Sequence, residues 1–173
     1  MEHLRVFLAD DHPLIRAGIR AALASTSDMV LVGEASDGHG LVERCRAAAP
    51  DVIVLDLHMP GPAPFALMAA LRAGCPAARL LILTAYDDDV YVRAALAAGA
   101  AGYMLKDESS DELVRAIRAV AQGHSWFGPP GAVRWPAGAP ASAPPTLTTR
   151  EQEVLRCVVD GKNNRETAAL LGM

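Results

Sequence analysis

From Leu4 to about Gln122, five short apolar runs alternate with longer segments of helical period, and few folds accommodate that alternation. The runs are Leu4 to Ala9, Met29 to Ala35, Val52 to Leu55, Arg79 to Thr84 and Gly102 to Leu105, with candidate helices starting near Pro13, His39, Pro64, Asp89 and Ser110. A strand that is apolar along its whole length, such as Val52 to Leu55, has to be covered on both faces, and helices between successive strands supply the cover. The pattern predicts a doubly wound α/β unit with a five-stranded parallel sheet over residues 1–124. Pro13 and Pro64 suit first helical positions, where the missing N–H costs no hydrogen bond.

The fifth helix should open with the capping box Ser109-x-x-Glu112 and set Leu113, Ile117, Val120 and Ala121 along the stripe that faces the sheet. The chain then changes character. Gly128 to Pro145 holds half of the 12 prolines, with alanine and glycine between them and no period, so residues 125–145 read as a proline-stiffened linker. Order resumes at a second capping box, Thr148-x-x-Glu151, followed by Val154, Leu155, Val158 and Val159 on one face and a stop at Gly161. A third helical signal runs from Asn163 through Leu171. Residues 146–173 are therefore expected to form a small all-α unit that is incomplete at Met173.

No apolar run approaches the ~18 residues of a membrane span, and the N-terminus turns acidic too early for a secretory signal, so a cytoplasmic protein with no membrane partner is expected. Cys45, Cys75 and Cys157 are odd in number and widely spaced, which fits buried thiols rather than a disulfide framework or zinc site. Residues 1–145 carry 12 basic and 16 acidic residues and residues 146–173 carry 4 of each. That is not the basic footprint of a complete nucleic-acid binder.

Ligands of an open doubly wound sheet sit beyond the carboxyl ends of the strands, where strand order reverses. Asp10 and Asp11 follow the first strand, Asp56 the third and Lys106 the fifth, while Thr84 ends the fourth. Three carboxylates gathered in one cleft must take up protons or bind a cation, and an oxygen-only set favours a hard ion, best Mg²⁺. A metal and Lys106 would offset the charge of a phosphoryl group attacked by one carboxylate, and the Thr84 hydroxyl could donate to it. These residues predict a phosphoacceptor.

The segments Phe7-Leu8-Ala9-Asp10-Asp11-His12, Val54-Leu55-Asp56-Leu57-His58-Met59-Pro60-Gly61, Leu83-Thr84-Ala85 and Gly102-Tyr103-Met104-Leu105-Lys106-Asp107 resemble the signature segments of bacterial response-regulator receivers. Leu147 to Leu155, Gly161, Asn164-x-Glu166 and Ala168-x-x-Leu171 resemble the opening of the LuxR-type helix-turn-helix of NarL/FixJ regulators. The resemblance implies a flavodoxin-like receiver in which Asp56 takes phosphate from a sensor histidine kinase. Mg²⁺ would be bound by the Asp11 and Asp56 side chains and the His58 main-chain carbonyl, with Asp10 assisting through water. Lys106 would pair with the acyl phosphate, and Thr84 and Tyr103 would act as switch residues. Phosphorylation-dependent homodimerisation and transcription regulation follow from the same likeness, with the DNA-reading helix expected beyond Met173. His58 and Tyr86 resemble sites that tune how long the phosphate survives.

Other readings of these residues exist. An enzyme with an aspartyl-phosphate intermediate would want Asp-x-Asp, whereas Asp56 is followed by Leu57 and His58; a pure interaction scaffold would never be phosphorylated. Asp87, Asp88 and Asp89 are explained as helix-start acids that complement the helix dipole. His3, His12, His39, His58 and His124 show no partner at ligand spacing, which speaks against a transition-metal site. Trp126 and Trp135 are expected to pack on a domain surface or between domains.

Overall fold

A computed structural model describes residues 3–85 and 89–127, although the side chains of residues 89 and 90 are not described. The linker beyond Phe127, Trp135, Tyr86, Asp87, Asp88, Cys157 and the expected helix-turn-helix segment lie outside the described residues.

Strands β1 (Leu4–Ala9), β2 (Met29–Ala35), β3 (Val52–Leu55), β4 (Arg79–Thr84) and β5 (Gly102–Leu105) alternate with helices α1 (Pro13–Ala24), α2 (Leu41–Ala48), α3 (Pro64–Gly74), α4 (Asp89–Ala97) and α5 (Ser110–Ala121). The five expected strands form over the expected residues. A sixth strand, β6 (Trp126–Phe127), was not anticipated: it pairs in parallel with Gly102 and Tyr103, so the sheet continues past the expected domain end at residue 124. All pairings are parallel and the order is β2-β1-β3-β4-β5-β6. The chain steps outward from β1 to β2, then returns to the other side of β1 to lay down β3, which puts the order reversal between β1 and β3.

Side chains alternate across the central strands with the two-residue period that a pleated strand imposes. Phe7 and Ala9, Ile53 and Leu55, and Leu80 and Ile82 join α2, α3 and α4 in one cluster with Tyr103. Val6 and Leu8, Val52 and Val54, and Leu81 and Leu83 join α1 and α5 in the other with Met104. Every residue of β3 is fully buried, which is why its sequence is apolar without alternation.

Local contacts explain several sequence choices. Pro13 and Pro64 occupy the first helical positions as expected. The Ser109 hydroxyl accepts from the Glu112 amide at 3.2 Å, while the Glu112 carboxylate turns to Arg115. Helix α2 begins at Leu41, two residues after the expected start, because Gly40 takes a left-handed conformation at its N-cap. In β2 a Cβ on Gly33 would lie 2.4 Å from the Phe7 ring, so the register irregularity between Val6 and Phe7 lets the aromatic lie over bare backbone. Cys45 and Cys75 are buried free thiols, and burial pushes Cys45 up to about 12. Among the described residues no helix is long and apolar enough to cross a membrane.

Ile117 is fully buried where α5 meets the sheet. Ile117→Ala is expected to cost about 2–5 kcal/mol by lost transfer energy and the cavity left behind, whereas Leu14→Ala, at a residue 87% exposed, should stay within about 0.5 kcal/mol. Urea unfolding of the two variants checks the contrast.

Candidate functional site

The strand ends at the order reversal carry acids into a cleft that sheet hydrogen bonds hold in place. The Asp10 amide donates to the Ala35 carbonyl at 3.1 Å and the Asp56 amide to the Ala9 carbonyl at 2.8 Å, so both acids continue the ladder just past their strands. The Lys106 amide likewise donates to the Thr84 carbonyl at 2.8 Å, fixing the two residues side by side at the ends of β5 and β4. A guanidinium N–H of Arg16, on the first turn of α1, donates to the Asp10 carbonyl at 2.7 Å.

These anchors bring the expected residues together. Asp10, Asp56 and Thr84 are buried, with exposures of 0%, 3% and 0%. Such burial of carboxylates requires a partner, and Lys106 supplies it: its Nζ lies 2.7 Å from Asp56 Oδ2 and 2.8 Å from Asp10 Oδ2, with only 11% of its side chain exposed. Burial works to lower the Lys106 pKa, but pairing with Asp10 and Asp56 outweighs it and holds the ammonium above its ordinary value. Asp56 Oδ1 accepts from the His58 amide at 3.0 Å, and Asp10 Oδ1 accepts from the His12 amide at 2.7 Å, so both carboxylates are held at fixed rotations. Asp11 sits at the mouth, partly exposed. Tyr103 is 3% exposed within the α2–α3–α4 cluster, and burial lowers the His58 pKa against the pull of Asp56.

One expectation is corrected. His12 does have partners at ligand spacing: its Nδ1 lies 2.6 Å from Asp11 Oδ1, 3.3 Å from Asp10 Oδ1 and 3.9 Å from Asp56 Oδ2. Reading the histidines by their spacing along the chain missed it, because Asp56 reaches it only through the sheet. The available signal was adjacency to the Asp10-Asp11 pair at a strand end.

A loop clamp also escaped sequence reading. Beyond Asp56 the chain runs through His58 to Pro60, whose carbonyl accepts from the Gly38 amide at 2.8 Å. Gly61 follows at φ 136°, where a Cβ would stand 3.0 Å from the backbone of Gly38. The loop after β3 is thereby pinned to the loop after β2, and His58 is carried on a braced segment.

The chemistry of this donor set suits a dication. Asp10 Oδ2 and Asp11 Oδ1 are buried and accept no aligned hydrogen bond among the described residues; the Lys106 ammonium beside Asp10 is a charge pair off the hydrogen-bond direction. One ligand atom from each of Asp10, Asp11, His12 and Asp56 lies within 4.8 Å of all the others, inside the roughly 4–5 Å that opposite ligands of one hard dication span.

Comparison with known proteins identifies the family. The family described as the response regulator receiver domain matches residues 6–118. The nitrate/nitrite response regulator protein NarP of Escherichia coli is 36% identical over 98% of this chain and 80% of its own length. The signal receiver domain of the response regulator NarL from Mycobacterium tuberculosis superposes with a TM-score of 0.68 at 40% identity, covering 72% of this chain and all of that one. A two-component response regulator of the LuxR family from Aurantimonas superposes with a TM-score of 0.69 at 34% identity, over 75% of this chain and 92% of its own.

Removing the ammonium leaves two buried acids facing each other. Lys106→Met is therefore expected to cost about 3 kcal/mol near neutral pH. The pH dependence follows from the raised pKa of Lys106: a lysine that binds its proton more tightly when folded contributes stability that is complete below its unfolded value of about 10.4 and fades as pH rises through the native value. Thermal unfolding of both forms should show a constant gap from about pH 6 to 9 that narrows only above about pH 10.4.

Proposed function

Because the chain belongs to the response regulator receiver family, with NarL-type transcriptional regulators among its relatives, we propose that Asp56 is its phosphoacceptor and that phosphorylation there controls transcription. The observation that carries this reading is the Asp56 carboxylate, buried at the end of β3 with Lys106 Nζ 2.7 Å away and Asp10 and Asp11 beside it.

A sensor histidine kinase is the expected donor. In the transfer, an Asp56 oxygen attacks phosphorus, the N–P bond of the kinase phosphohistidine breaks, and the electron pair returns to the imidazole. The His58 amide holds Asp56 Oδ1 and so limits rotation of the nucleophile, which keeps it in line for attack. Lys106, already within reach of both buried acids, offsets the negative charge that builds on the phosphoryl oxygens. Thr84, fixed beside Lys106 by the Lys106 amide bond to its carbonyl, is the residue proposed to follow the phosphoryl group once it is attached. Asp11, Asp56 and the His58 main-chain carbonyl, with Asp10, would hold Mg²⁺, which supplies charge neutralisation for the phosphoryl oxygens.

Tyr103 follows as the second switch residue, since it lies on β5 two register positions from the Thr84–Leu105 pair and shares a core cluster with α4 residues. New contacts at the rim would favour one arrangement of Thr84 and Tyr103 and so reshape the α4–β5–α5 surface, a population shift driven by interactions present in one state only. Dimerisation through that surface would present paired helix-turn-helix units to DNA. The LuxR-like segment at 146–173, which the alignment to NarP reaches, is the part of this chain assigned to that role.

Incubation with acetyl phosphate and Mg²⁺ followed by intact mass measurement tests the assignment. One added phosphoryl group is expected, absent in Asp56→Ala, together with a faster sedimenting species when beryllofluoride is supplied. A scaffold would gain no mass, and many turnovers on small phosphomonoesters would instead mark an aspartyl-phosphate enzyme.

A further inference from the structure

We propose that His12 supplies a nitrogen ligand to the Asp10–Asp11–Asp56 pocket, so that this chain binds first-row transition dications there more tightly than an all-oxygen set would. The inference rests on the reading of this pocket as a dication site and adds to it a donor that changes which ions the pocket prefers.

Four observations carry it. His12 is the N-cap residue of α1, yet its side chain makes no capping hydrogen bond, so the ordinary structural employment of a polar side chain at this position is vacant. Its ring instead turns to the cleft, with Nδ1 within 4 Å of one oxygen on each of the three acids. The same nitrogen lies 3.2 Å from Lys106 Nζ. An ammonium has only hydrogens to offer and a carboxylate only lone pairs, so Nδ1 would need its lone pair for Lys106 and a hydrogen for Asp11 Oδ1. One nitrogen cannot meet both demands. A dication resolves the conflict, since the imidazole lone pair and the Asp11 oxygen can then point at a common centre. Finally, Asp10 is fully buried and its Oδ2 aims into the same space without an aligned donor.

The consequence for ion choice is general chemistry. Carboxylate, carbonyl and water ligands suit Mg²⁺ and Mn²⁺, while an imidazole raises affinity for the later first-row metals more than for Mg²⁺, which takes nitrogen reluctantly. A pocket with three acids and an imidazole should therefore hold Mn²⁺ with a nitrogen in its shell and rank Ni²⁺ well above Mg²⁺. The ring is 59% exposed, so the donor can be removed without opening the core.

The test uses the full chain and its His12→Ala, His12→Gln, Asp11→Ala and Asp56→Asn variants, with circular dichroism confirming that each folds. Isothermal titration with Ni²⁺ and with Mg²⁺ measures affinity, and pulsed electron paramagnetic resonance on the Mn²⁺-loaded protein looks for nitrogen bound directly to the metal. Expected are a nitrogen coupling in the parent chain that both His12 variants lose, and a fall in Ni²⁺ affinity of about tenfold or more with a change of less than about threefold for Mg²⁺. A Mn²⁺ spectrum without nitrogen coupling, a coupling that survives in His12→Ala, or equal losses for both ions overturns the inference while leaving the acidic pocket intact. If no dication binds, or if Asp11→Ala and Asp56→Asn bind as tightly as the parent, the pocket itself has been misread and both proposals fall.

Discussion

One ammonium balances two buried carboxylates, and the arrangement of the rim follows from that constraint. Asp10 and Asp56 lie at the ends of adjacent parallel strands, so the sheet forces them together whether or not their charges agree. Two acids in a low-dielectric cleft would otherwise protonate or push the strands apart. Lys106 arrives from the far side of β4, one residue past the end of β5, and its ammonium lies within 2.8 Å of both acids. The balance is incomplete: with Asp11 at the mouth the pocket holds three potential negative charges against one positive. That deficit is what a bound dication would offset.

Rigid placement is what turns the deficit into a usable site. Asp10, Asp56 and Lys106 each sit one step past a strand and Thr84 ends one, so their backbones inherit the precision of the core rather than the freedom of a loop. The loops that are needed are braced in turn: the Gly38–Pro60 hydrogen bond and the close glycine approach at Gly61 clamp the segment carrying His58. Arg16 performs a similar service for the Asp10 backbone from α1. Proline at the first positions of α1 and α3 marks where both helices begin beyond the rim.

Much of this was legible in the sequence because burial on both faces leaves a strong trace. Val52 to Leu55 and Arg79 to Thr84 read as strands from continuous apolar character, and the acids just beyond them stood out against it. That Asp10, Asp56 and Lys106 would meet in one cleft could be inferred from a general rule about strand ends before any pairing was known. What escaped was information carried by contact rather than by pattern. The two residues of β6 are too few to display a period, and only the edge of β5 reveals them as a strand. His12 looked like an isolated histidine because its partners at Asp56 and Lys106 are remote in the chain. The late start of α2 reflects a left-handed glycine, a backbone fact that a run of Gly38, His39 and Gly40 hints at without locating.

Under the proposed phosphorylation of Asp56, the same geometry offers a route by which a local charge change would be felt at a distance. A phosphoryl group adds nearly two negative charges at neutral pH and three acceptor oxygens, far more than Lys106 alone can offset while still pairing with Asp10. Further donors would then have to come from neighbours, and Thr84 is the neighbour whose main chain is already bonded to Lys106. Because Thr84 ends a strand packed between two cores, its side chain cannot move toward the rim without altering the space it fills. Tyr103 lies on the next strand, inside the α2–α3–α4 cluster. Close-packed interiors answer such a change by switching between discrete packings rather than by yielding gradually, so in the proposed switch an event at one carboxylate would become a difference in the surface that α4 and β5 present.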